Sequence, residues 1–215
     1  MKAFFRNFIP LIYLGICGLI FFGSFVSSAE ATSTIVFLGD SLTEGYGLDK
    51  SEAFPALFEK ELQAEGYKDI KVINAGISGS TSASAISRLK WYLRIKPSIL
   101  VIALGANDGL RGLDPDAMKK NLATTIQLAL DRKITVVLAG MKIPPNYGLK
   151  YTEEFENVYP ELSEKFNIPL IPFLLDGVAA NPELNLPDGI HPNQKGHEII
   201  ARLVLKELRP LLPQS

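Results

Sequence analysis

The sequence predicts an α/β domain built on a parallel sheet, and three observations carry that prediction. From Thr34 onward, short β-branched runs alternate with stretches of helical periodicity, the order expected of strands joined by crossover helices. The strand runs, Ile35-Val36-Phe37-Leu38 and Ile99-Leu100-Val101-Ile102-Ala103-Leu104 among them, are continuously apolar rather than alternating, as strands covered on both faces are. Polar clusters follow three of the runs directly: Gly39-Asp40-Ser41-Leu42, Asn74-Ala75-Gly76-Ile77-Ser78-Gly79 and Gly105-Ala106-Asn107-Asp108. In open α/β sheets ligands bind outside the carboxyl ends of the strands, near the point where strand order reverses, so a site is expected at these clusters.

Five strands are predicted, at residues 34–39, 70–74, 98–104, 134–139 and 169–172. After the first, residues 53–65 read as a helix closed by Gly66, glycine being the commonest residue just past a helix end. Residues 82–93 read as the next helix, with Ile86, Leu89 and Leu93 on one face. Asp114 followed by Pro115 is a cap and first-turn pair for a helix running to Asp131, with Met118, Leu122, Ile126 and Ala129 inward. Thr152 is the expected cap of the following helix, and the last helix, from Gln194 to Leu208, turns Ile199, Ile200, Leu203 and Val204 to the sheet. No internal repeat, low-complexity tract or long linker breaks this order.

Ahead of it, Lys2 and Arg6 precede an apolar run over residues 8–26, followed by Ser27, Ser28 and Ala29. A positive head, an apolar stretch and small residues at a cleavage point form the layout of a signal peptide. Residues 1–29 are therefore expected to be removed and residues 30–215 to form the exported domain, periplasmic or secreted. The alternative is an uncleaved membrane anchor, since the run is almost long enough to span a bilayer, although Pro10, Gly15, Gly18 and Gly23 interrupt it. Cys17 is the only cysteine and lies inside this segment, so no disulfide is expected in the domain. Ile16 occupies the place where lipoprotein processing needs a small residue. The 22 Lys and Arg nearly balance 23 Asp and Glu, without a basic block. Nucleic acid is thus not an expected partner, and membrane contact is expected through the N-terminal segment alone.

Among the clusters, Ser41 stands just past a buried strand, where its hydroxyl can be exposed at the sheet edge; a helix cap or turn serine is the alternative. A serine hydroxyl is a poor nucleophile at neutral pH and needs a base to take its proton and donors to hold the oxyanion that forms. Two histidines are present, and His191 lies in Asp188-Gly189-Ile190-His191-Pro192, just ahead of the final helix. That spacing lets one loop present a carboxylate to one ring nitrogen and the other ring nitrogen to Ser41; an Asx turn beside a solvated histidine is the alternative. The backbone of Ser41 and Gly79 and the side-chain amide of Asn107 are candidate oxyanion donors, each of which is also an ordinary loop residue by itself. His197 falls on the last helix as a surface or helix-packing residue. A zinc site would need carboxylates to complete it, so neither metal nor cofactor is expected.

The blocks GDSLTEGYGL, NAGISGSTS, LGANDGLRG and DGIHPNQKGH resemble, in order, the four blocks of the SGNH/GDSL hydrolases. Within that family the chain is similar to the arylesterase-like bacterial members known as thioesterase I, protease I or lysophospholipase, from Thr34 to Pro210. The resemblance implies Ser41 as nucleophile, Asp188 and His191 as the other triad members, and an oxyanion hole formed by Ser41, Gly79 and Asn107. It implies further that Gly109, Leu110, Arg111, Gly112, Leu113 and Asp114 form a loop that moves when an acyl chain binds. The implied architecture is a three-layer α/β/α sandwich of flavodoxin-like type. It is not that of the α/β-hydrolases, whose G-x-S-x-G elbow would need glycine where Thr43 stands and follows a later strand.

The expected activity is hydrolysis of carboxylic esters or thioesters through an acyl-enzyme on Ser41, with aryl esters, lysophospholipids and acyl-CoA as the substrate types the family accepts. The partner is accordingly a small-molecule or lipid acyl ester. An O-acetylesterase acting on carbohydrate is the alternative enzyme on the same fold, and an inactive binding module the alternative outside catalysis.

Overall fold

A computed structural model describes residues 33–213, together with Met1; residues 2–29 of the expected signal segment lie outside the described residues. The strands are β1 (Ser33–Gly39), β2 (Ile70–Gly76), β3 (Ile99–Ala103), β4 (Thr135–Ala139) and β5 (Leu170–Ile171). The helices are α1 (Ser41–Glu44), α2 (Phe54–Ala64), α3 (Ala85–Tyr92), α4 (Ala106–Leu110), α5 (Pro115–Asp131), α6 (Leu149–Phe166) and α7 (Gln194–Leu208). All five strands pair in parallel in the order β2-β1-β3-β4-β5, the flavodoxin-like order expected. Because the chain passes from β1 outward to β2 and then back to β3, the reversal falls between β1 and β3. The register sets Gly39 beside Gly76 on one side and Ala103 on the other. The segments leaving β2, β1 and β3 are neighbours for that reason alone.

Two groups of helices cover the sheet: α2 packs with α7, and α5 packs between α3 and α6. Ile35, Val36, Phe37 and Leu38 of β1 are all fully buried, which explains the unbroken apolar run. Phe37 meets Phe54 and Phe58 of α2 edge-on, with both ring centroids at 5.3 Å; such pairs add about 0.5–1.5 kcal/mol to the burial itself. On α5, Met118, Leu122, Ile126 and Ala129 are buried, and Asp114 accepts from the amide of Asp116 at 3.0 Å, as the Asp-Pro pair predicts.

Two local expectations are corrected. Helix α6 starts at Leu149 with Gly148 as its cap residue, and Thr152 lies inside, its hydroxyl donating to the Gly148 carbonyl at 3.0 Å. The threonine bonds one turn backward rather than capping forward. On α7 the deepest side chains are His197, Ile200, Ala201, Val204 and Leu208, whereas Ile199 and Leu203 are half-buried. Ile199 and Leu203 still pack on the core from its edge, and the stripe widens because Gly196 lies against the Leu184 carbonyl, which a Cβ would approach at 2.4 Å, and because His197 turns inward. His197 is 1% exposed, so of the two expected roles it is the helix-packing one, against Phe54 of α2, and not the surface one. Its Nδ1 accepts from the Phe54 amide at 3.1 Å at the start of α2, where Ala53 offers no side-chain cap. A helix on the far side of the sequence thus caps α2, and burial holds the imidazole pKa down at about 4.

Candidate active site

Helix α1 is a single turn that follows β1 immediately. Asp40 caps it, accepting from the Leu42 amide at 3.0 Å, and Ser41 is its first residue. Gly76 lets this turn lie across the end of β2, since a Cβ there would stand 2.1 Å from the Glu44 nitrogen. Asn74 fastens the contact by donating to the Thr43 carbonyl at 2.8 Å and accepting from the Gly76 amide at 2.9 Å. Asp40 is completely buried, and burial raises its pKa to about 6.

His191 arrives from the opposite end of the chain. Its Nε2 lies 2.9 Å from Ser41 Oγ and its Nδ1 2.7 Å from Asp188 Oδ2. The other carboxylate oxygen of Asp188 accepts from the amides of His191 at 3.0 Å and Ile190 at 2.9 Å. Those two amides, ahead of the His191 ring, hold the Asp188 carboxyl down at about 2. An ionised carboxylate accepts only, so Nδ1 donates to it and the neutral ring presents Nε2 as acceptor to the serine hydroxyl. The loop is closed at its base by the Leu186 amide bonding the His191 carbonyl at 2.7 Å and the Asn193 amide bonding the Leu184 carbonyl at 2.9 Å. Tyr46, absent from the sequence-based candidates, lays its ring 4.5 Å from the imidazole; it lies within the block GDSLTEGYGL, but its contact with His191 is made across the fold and no local pattern assigns it.

The candidate oxyanion donors lie on the segments that leave three neighbouring strands, β1, β2 and β3. Ser41, as first residue of α1, has an amide without an intrahelical acceptor, and neither it nor the Gly79 amide has an acceptor among the described residues. Gly79 sits in a turn closed by the Ser80 amide on the Ile77 carbonyl at 3.1 Å, with φ of +74°. Asn107 lies on α4, its Nδ2 3.5 Å from Asp40 Oδ2. Asp108 beside it is buried and accepts from the amide and hydroxyl of Ser82 at 2.8 and 2.6 Å, which anchors α4 to the turn after β2.

Residues 109–114 do not form one loop. Gly109 and Leu110 belong to α4, Gly109 being buried against Ile143 and Phe155, and Asp114 caps α5. Arg111, Gly112 and Leu113 alone are free of helix, and all three are exposed. The sequence hid α4 because Asn, Asp and Gly within five residues read as turn formers; the neighbouring Ser82 contact decides otherwise. A groove of about 620 Å³ opens beside Ser41 and His191, with Leu42, Leu110, Ile143, Pro144, Phe173 and Leu175 among its walls. The last four come from segments after β4 and β5 that carry no motif. Among the described residues, no three His, Cys, Asp or Glu side chains are grouped to hold a metal ion.

The model of the GDSL-like lipase/acylhydrolase family matches residues 37–199 of the chain. Over 188 residues the chain is 42% identical to esterase TesA of Pseudomonas aeruginosa, covering 87% of this chain and 93% of that one. It is 37% identical over 185 residues to the thioesterase 1/protease 1/lysophospholipase L1 of Escherichia coli strain K12, covering 86% of this chain and 87% of that one. The fold superposes on the crystal structure of TesA with a TM-score of 0.80 at 41% identity, over 84% of this chain and 100% of that one. By this match of most of its length, and by a sheet whose strands β1, β2 and β3 lead into three of the blocks while the fourth comes from the loop before α7, the chain belongs to the GDSL-like lipase/acylhydrolase family.

Proposed function

We propose that the domain hydrolyses carboxylic esters and thioesters through an acyl-enzyme on Ser41, with lysophospholipids and simple esters as its natural substrate class. The observation that carries this reading is the unbroken chain from Ser41 Oγ through His191 to Asp188, at 2.9 and 2.7 Å. As Ser41 Oγ attacks the carbonyl carbon, its proton passes to His191 Nε2 and the negative charge moves to the carbonyl oxygen. The amides of Ser41 and Gly79 and the Asn107 side chain receive that oxygen. Collapse breaks the bond to the alcohol or thiol, which leaves with the proton from His191; water then repeats the sequence and releases the acid. Asp188 holds the ring in the required tautomer and stabilises the imidazolium.

The mostly apolar groove favours an acyl chain over a sugar, which argues against the O-acetylesterase alternative. Lys2, Arg6 and the apolar run before Ala29 support export, where cytoplasmic acyl-CoA is out of reach. The segment Arg111-Gly112-Leu113 is the part of the region with freedom to adjust to an acyl chain. The test is a panel of esters from acetyl to palmitoyl, with lysophospholipid and acyl-CoA included, beside fluorophosphonate labelling. Each buried methylene is worth about 0.8 kcal/mol, so KM should fall about three- to fourfold per added CH₂ until the groove is full. Acetyl preference with no gain from longer chains, or labelling that persists in Ser41→Ala, would refute the proposal.

A further inference from the structure

The three candidate oxyanion donors sit on separate segments, and the sheet by itself positions strand ends rather than side chains. Two charged residues outside the triad connect those segments. Glu44, on the same turn as Ser41, accepts through Oε2 from the Ser78 amide at 2.7 Å and also from the Ser78 hydroxyl. Arg111, which closes the helix bearing Asn107, donates through Nη2 to the Gly79 carbonyl at 2.9 Å and lies 3.4 Å from Asn107 Oδ1. The turn of residues 77–80 is therefore held on the residue before the donor amide by α1 and on the donor residue itself by the end of α4. The Gly79 N–H, between these two attachments, is left uncommitted among the described residues.

We infer that Glu44 and Arg111 are positioning residues for the oxyanion hole, fixing the Gly79 amide in register with the Ser41 amide and the Asn107 side chain. The inference rests on the proposed roles of those three donors. Both braces are charge-assisted hydrogen bonds, which are shorter and stronger than neutral ones. Neither side chain needs to touch substrate for this. A donor displaced by about 1 Å loses its bond to the transition-state oxygen while ground-state binding is kept, and such displacements cost on the order of 100-fold. Arg111 also connects the exposed segment 111–113 to the hole, so whatever shifts that segment shifts the Gly79 turn with it.

The experiment compares Arg111→Ala, Arg111→Lys, Glu44→Ala and Glu44→Gln with Asn107→Ala as reference, all in the intact domain. Active sites are titrated with a fluorophosphonate, and kcat and KM are measured on a neutral aryl ester. The affinity of an alkyl boronic acid, which forms a tetrahedral adduct with the serine, is read in parallel. The expected result is a loss of roughly 10- to 100-fold in kcat per active site for both alanine variants, with KM within about twofold, matched by weaker boronic acid binding. Arg111→Lys should recover part of the loss, because the ammonium keeps the charge and a donor for the Gly79 carbonyl but lacks the fixed planar geometry that the guanidinium holds between Gly79 and Asn107. Parent-like kcat in Arg111→Ala and Glu44→Ala, while Asn107→Ala is impaired, overturns the inference and leaves the hole intact. An effect confined to KM, or seen only with an anionic ester, makes Arg111 a substrate contact and overturns it equally. Parent-like kcat in Asn107→Ala instead removes the oxyanion reading on which the inference stands.

Discussion

The two aspartates of the site are the same side chain in opposite surroundings. Asp40, at the end of β1, is buried beneath the nucleophile turn and its pKa is raised to about 6. Asp188, in the loop before α7, is partly exposed and held down at about 2 by backbone amides. The sheet edge places Ser41 by exclusion and packing at an electrostatic cost, whereas the histidine loop places its base by local hydrogen bonds that favour charge. The nucleophile thus depends on the whole core, and the base mainly on hydrogen bonds within its own loop.

The sharpest way to break this comparison is Asp188→Asn. The amide can still accept from the two backbone amides but donates to Nδ1 instead of accepting from it, which forces the wrong tautomer on His191. A loss of kcat on the order of 10³- to 10⁴-fold is expected with the melting curve little changed, since Asp188 is near the surface. A parent-like rate would make Asp188 a loop residue only. On the sheet-edge side, Asn107→Ala should cost on the order of 10²- to 10³-fold in kcat, about 3–4 kcal/mol, with KM steady and slow fluorophosphonate labelling retained. Reduced stability with an unchanged rate per folded site would return Asn107 to the status of a turn residue.

Smaller effects concern stability and pH. Asp40 has a folded pKa above its unfolded value, so its contribution is full below pH 3.8 and is lost as pH rises through about 6, roughly 3 kcal/mol by the usual linkage. His197 has the reverse relation. Its folded pKa of about 4 lies below the ordinary imidazole value of 6.5, so its contribution is present above pH 6.5 and is lost as pH falls to 4, again roughly 3 kcal/mol. In the parent protein the two slopes offset one another between pH 4 and pH 6. Asp40→Asn keeps an oxygen for the Leu42 amide and removes one slope. It should be more stable than the parent at pH 8 and lose stability on acidification, as denaturant unfolding at pH 8, 6 and 4.5 would reveal. His197→Phe, tested the same way, should be less stable at neutral pH through its lost bond to Phe54 and should gain relative to the parent below pH 5. Parallel curves for parent and both variants would mean that neither group titrates with the fold.

Much of the architecture was legible because it depends on neighbours in sequence. Continuous apolar runs required strands with two covered faces, and Asp114-Pro115 placed the start of α5 to the residue. The candidate site was legible by position: Ser41, Gly79 and Asn107 follow adjacent strands, and Asp188 lies close enough to His191 for one loop to hold both. Thr152 misled because a threonine hydroxyl bonds backward within a helix as readily as it caps one. The short helices α1 and α4 were hidden for a related reason. Turn-forming residues within one or two turns carry no periodicity; the Asp40 cap of α1 is local but reads equally as a turn, and the Ser82 contact that holds α4 comes from a remote segment.

By itself the sequence determined the parallel α/β class, the five strands, the four blocks and hence the candidate chemistry, because each rests on local periodicity or on residues within one segment. The tertiary structure alone decided that His197 caps α2 from 143 residues away, that Asp40 is buried enough to raise its pKa, and that Glu44 and Arg111 brace the Gly79 turn. It alone decided the groove as well, whose walls come from segments after β4 and β5. These are properties of distance and desolvation between segments remote in the chain, and a one-dimensional pattern records neither.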